Sequence, residues 1–152
     1  MKFTSSLFVL GAIALGGSLA PAATIANPTT IMIPVSGTSG PADPYPSTIN
    51  VAGLGLISSI TVDIFGLTHT FPDDIDILLV SPSGATVILM SDTGGGSSIS
   101  GINITFDDAA PSSLPDALIL TPGTFKPTNH SGSPDTFAPA PAGPYVSLLA
   151  SL

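Results

Sequence analysis

Ten aspartates, two histidines and many hydroxyls are the chain's chemical equipment; it has no cysteine, arginine, glutamate or tryptophan. Six of the aspartates fall at or near the ends of strand-like runs. Asp73, Asp74 and Asp76 sit in "HTFPDDIDILLVSPSG" (69–84), Asp92 follows "ATVILMS" (85–91), and Asp107 and Asp108 close "INITFDD" (102–108). Carboxylates gathered at strand ends suit Ca²⁺, a hard cation that takes six to eight oxygen ligands from side chains and loop carbonyls. The same residues also suit solvated turns. No EF-hand or calcium-repeat spacing decides between these readings.

Nucleophilic catalysis finds less support. "GTSG" (37–40) places Ser39 in turn-rich sequence, and His69 and His130 are the only imidazoles. A serine nucleophile needs a base within hydrogen-bond reach and a rigid turn to present it. His69, at the end of a strand-like run, is expected to hydrogen-bond a loop carbonyl. His130, in a proline-rich stretch, is expected in solvent. "GGG" (94–96) lacks the Gly-Lys-Ser/Thr ending of a phosphate loop. With only two tyrosines and no tryptophan, the chain offers little of the aromatic surface that sugar binding uses. A metal, if any, is Ca²⁺; no catalytic residue and no other cofactor is expected.

The elements that would position these groups are strands. Asp, Gly, Pro, Ser and Thr dominate, and the helix-favouring charged residues are almost absent. Residues 56–67 alternate, with Ile60, Val62 and Ile64 on one face and Gly66 marking a bulge or bend. Residues 74–80 alternate again, with Ile75, Ile77 and Leu79 together. "SPSG" (81–84) makes a type I turn, with Pro82 supplying a fixed φ, and 85–91 returns as the second arm of a hairpin. Residues 92–101 read as a flexible loop, and 102–108 as a strand with Ile102, Ile104 and Phe106 inward. Thr29 to Val35 suggests an edge strand. Residues 121–145 are too rich in Pro, Gly and Ser for regular structure, and 145–152 starts one more strand.

The chain is long enough for one domain. Its net charge of −8 opposes nucleic-acid backbones and anionic membrane surfaces and favours divalent cations. Lys2, the apolar run 7–17 and the small residues before position 23 read as a signal peptide over 1–22. This implies a secreted, extracellular or periplasmic protein with no membrane span in its mature form. Residues 23–48 are then a lead-in, and 49–152 the domain. Without disulfides, a core or a metal must hold it together.

"GLTHTFPDDIDILLVSPSGATVIL" (66–89) resembles the P domain, or Homo B domain, that follows the catalytic domain of subtilisin-like proprotein convertases. The resemblance is carried by His69, Thr70, Asp74, Ile75, Ile77, Leu79, Ser81, Pro82, Ser83 and Gly84, and extends over roughly 50–152. Ala85 departs from the commoner Thr. It implies an all-β, galactose-binding-like jelly-roll β-sandwich with an accessory role, stabilising a protease catalytic domain or packing on another protein surface. No catalytic residue is implied. The family's closing Trp-containing strand has no counterpart before Leu152, so the sandwich is expected to be incomplete at its C-terminal end. A Ca²⁺- or carbohydrate-binding jelly roll, or a self-associating surface protein, are the alternatives.

Overall fold

Two of the alternating segments find each other across the chain. In the computed structural model, which describes residues 22–34, 40–130 and 135–152, β1 (Val62–His69) pairs antiparallel with β4 (Ile99–Phe106). Val62 lies opposite Phe106 and Ile64 opposite Ile104. Leu67 is three residues beyond Ile64, so strict alternation would turn it to the outer face. The register slips between them, Gly66 adopts a φ of 68°, and its N–H is bound by Asn103 Oδ1 at 2.9 Å. This bulge at the expected glycine returns Leu67 to the core.

β1 starts at Val62, not at residue 56 as the alternation suggests. The reason lies in its partner. β4 ends at Phe106, and Asp107 then accepts the N–H of Ala109 on its side chain and that of Ala110 on its carbonyl. The turn carries the chain away from β1, and residues 56–61 pair with no strand among the described residues.

The hairpin of β2 (Ile77–Val80) and β3 (Thr86–Ser91) is built as its turn chemistry requires. Gly84 N–H donates to the Ser81 carbonyl at 2.9 Å, and Ser81 N–H to the Ala85 carbonyl at 2.9 Å. Gly84 has a φ of 88°. This is a type I turn closed by a left-handed glycine, a conformation that costs glycine nothing. The first arm is shorter than the 74–80 expected, because Pro72–Asp74 form one turn of 3-10 helix with proline at its start. Ile75 is buried in the core, whereas Ile77 and Leu79 are only partly covered.

Residues 121–145 contradict the expectation of no regular structure. β5 (Gly123–Phe125) adds in parallel to β4, and β6 (Thr128–Asn129) adds in parallel to β3. The result is two three-stranded sheets, ordered β1-β4-β5 and β2-β3-β6. Strands this short carry too little pattern to be read locally; their partners define them. The chain is therefore all-β, and no α-helix occurs among the described residues. No helix there is long and apolar enough to cross a membrane.

One apolar core draws on both sheets, with Val87 and Met90 from β3, Ile104 and Phe106 from β4, and Ile75 and Leu149 from the connections. β3 is the middle strand of its sheet, and Val87 through Ser91 are all buried. Among the buried polar atoms, Thr93 Oγ1 has no hydrogen-bond partner.

Three further expectations change. The loop 92–101 is not slack. A Cβ on Gly94 would meet the Leu120 side chain, one on Gly95 would stand 2.9 Å from the Ala117 carbonyl oxygen, and one on Gly96 would strike the Phe71 ring. The triple glycine is there for close packing. β4 also begins inside that loop, at Ile99. The edge strand at 29–35 reduces, among the described residues, to one bridge between Met32 and Asp43. At the other end, Val146 bridges Val87, and Leu149–Ser151 form a 3-10 turn where a strand was expected. Residues 1–21 of the signal peptide expected over 1–22, and Ser39, lie outside the described residues.

Candidate metal centre

The hairpin brings two of the six aspartates together. Asp76 precedes β2 and Asp92 follows β3, and the pairing of Ile77 with Met90 sets them side by side at the open end. The fully buried Ser91 lies between them. Its Oγ is 2.6 Å from Asp76 Oδ1 and 3.0 Å from Asp92 Oδ2, so its one hydrogen goes to Asp76, the shorter contact.

A third carboxylate comes from a distance. β6 places Asn129 opposite Ser91, and the His130 N–H reaches the Ser91 carbonyl at 3.3 Å. Asn129 Nδ2 then donates to Asp135 Oδ2 at 2.9 Å. Asp76, Asp92 and Asp135 thereby offer oxygens that all lie within 4.8 Å of one another. Each carboxylate keeps one oxygen outside these hydrogen bonds.

Like charges this close repel, and no cation is among the charges acting on Asp76. Asp76 is exposed as a residue, but partial desolvation of its carboxyl comes first, and then Asp135, Asp92 and Asp74, in pushing it above the ordinary 3.8, while the Ser91 hydroxyl pulls the other way. Asp92 has a φ of 51°, the only non-glycine residue described with a positive φ. A short polar side chain tolerates the left-handed region, but the conformation is still uncommon.

Two of the three, Asp76 and Asp92, line a cleft of about 420 Å³ together with His69, Asp73, Asp74, Ile33, Pro34 and Gly40; Asp135 is not among its lining residues. Asp73 and Asp74 thus stand around the same cleft without joining the tight trio. His69 Nδ1 lies 2.7 Å from the Phe71 carbonyl oxygen and 3.2 Å from the Phe71 nitrogen, so the ring is held against the loop backbone, with the carbonyl contact as expected. His130 is exposed, yet its Nε2 is tethered to the Leu114 carbonyl at 2.8 Å and is not simply solvated. Among the described residues, no hydroxyl hydrogen-bonds either imidazole.

Asp107 and Asp108 are not part of this site. Asp107 closes the turn after β4. Asp108 accepts Leu149 N–H at 2.9 Å and Ala150 N–H at 2.8 Å, one on each oxygen, and so caps the C-terminal 3-10 turn. Both carboxylates are occupied with backbone N–H groups. Asp135 was not singled out from the sequence. Its one local signal is that it is the only acidic residue in the Pro/Gly-rich stretch 121–145.

An all-oxygen donor set selects a hard cation over zinc or copper. Three carboxylates supply part of the shell that Ca²⁺ takes; carbonyls and water would complete it. No protein-family profile, curated protein or solved structure matches this chain. The P-domain resemblance therefore rests on the residues quoted above.

Proposed function

We propose that the chain is a secreted, non-catalytic β module that binds Ca²⁺ through Asp76, Asp92 and Asp135. The observation that carries this reading is the convergence of three carboxylates from three chain segments to within 4.8 Å, with no cation of the described residues among the charges acting on Asp76. Asp73 and Asp74 add negative potential at the cleft and draw the cation in. The two sheets are proposed to be the core of a jelly-roll sandwich. In keeping with the P-domain resemblance, the module's role is accessory: it docks on a protease catalytic domain or another protein surface, and Ca²⁺ fixes the loop that carries Asp135.

Calorimetric titration of the chelator-stripped chain with CaCl₂ tests this. One site is expected, with a Kd of roughly 10⁻⁴ to 10⁻³ M, the range of extracellular calcium modules. Asp135→Asn should abolish the heat, and Asp107→Asn should leave it unchanged. No heat with the unaltered chain, or equal heat with Asp135→Asn, overturns the proposal.

A further inference from the structure

We draw no further inference here: the strongest candidate, the uncharged apolar segment 49–57 that runs ahead of β1 and leaves Leu56 and Ile57 in solvent, carries nothing because no part of the structure shows what covers it.

Discussion

Replacing Asp92 by Asn should move stability in opposite directions with and without calcium. Asn keeps the size of the side chain and tolerates the positive φ of this position. It also sits at the longer of the two Ser91 contacts, 3.0 Å, so little hydrogen bonding is lost. What it removes is charge. Two unit charges 4.8 Å apart repel by about 0.9 kcal/mol in a water-like dielectric. Screening at physiological ionic strength roughly halves that. Asp92 faces two carboxylates, so in chelator the variant should gain about 1 kcal/mol, a rise in Tm of about 2–4 °C for a chain of this size. In 10 mM Ca²⁺ the unaltered chain, with a Kd of roughly 0.1–1 mM, should gain about 1.4–2.7 kcal/mol, or about 3–10 °C. The variant should gain much less, so the order of the two proteins reverses. Thermal melts followed by far-ultraviolet circular dichroism suit a chain without tryptophan. If Asn lowers Tm in chelator, and calcium shifts both proteins equally, the repulsion and the site are both refuted.

The pH dependence follows from Asp76. Its carboxyl is raised above 3.8 in the folded chain, so the folded state holds that proton more tightly than the unfolded one. The stability this contributes is fully present below the unfolded value and is lost as pH rises through the folded one. In chelator, acidification should therefore favour the unaltered chain over Asp76→Asn, read as the pH dependence of their Tm difference. In calcium the sign changes, because the cation requires the ionised carboxylate; a calcium-induced shift that grows on acidification would refute this. Asp108→Ala should cost about 1–3 kcal/mol in urea denaturation, because two backbone N–H groups lose a charged acceptor. It should also open the C-terminal turn to protease while leaving calcium binding intact; unchanged denaturation would remove Asp108 from its capping role.

What the sequence made legible is what neighbours decide. Pro82 and Gly84 specify a turn within five residues, so the hairpin and the meeting of Asp76 with Asp92 follow. Gly66 marked the bulge for the same local reason. β5 and β6 were hidden because a three-residue and a two-residue strand have no periodicity of their own. Asp135 was hidden with them, since only the pairing of Asn129 with Ser91 brings it near. Strand-like pattern also misled: the alternation at Ile60, Val62 and Ile64 suggested a strand from residue 56, but the chain turns away after Phe106 and residues 56–61 find no strand partner among the described residues.

The parallel placement of β6 has a kinetic consequence. The β2–β3 hairpin closes over a short loop and forms early, presenting Asp76 and Asp92 with their mutual repulsion intact. β6 must return across a long stretch of chain before Asp135 arrives, and such distant parallel pairings close late. The full trio is thus expected to assemble only after the main folding barrier has been crossed. A cation that needs all three carboxylates acts as a latch on the finished structure. Stopped-flow chevrons should show calcium lowering the unfolding rate and leaving the refolding rate nearly unchanged; acceleration of refolding instead would mean that β6 docks early.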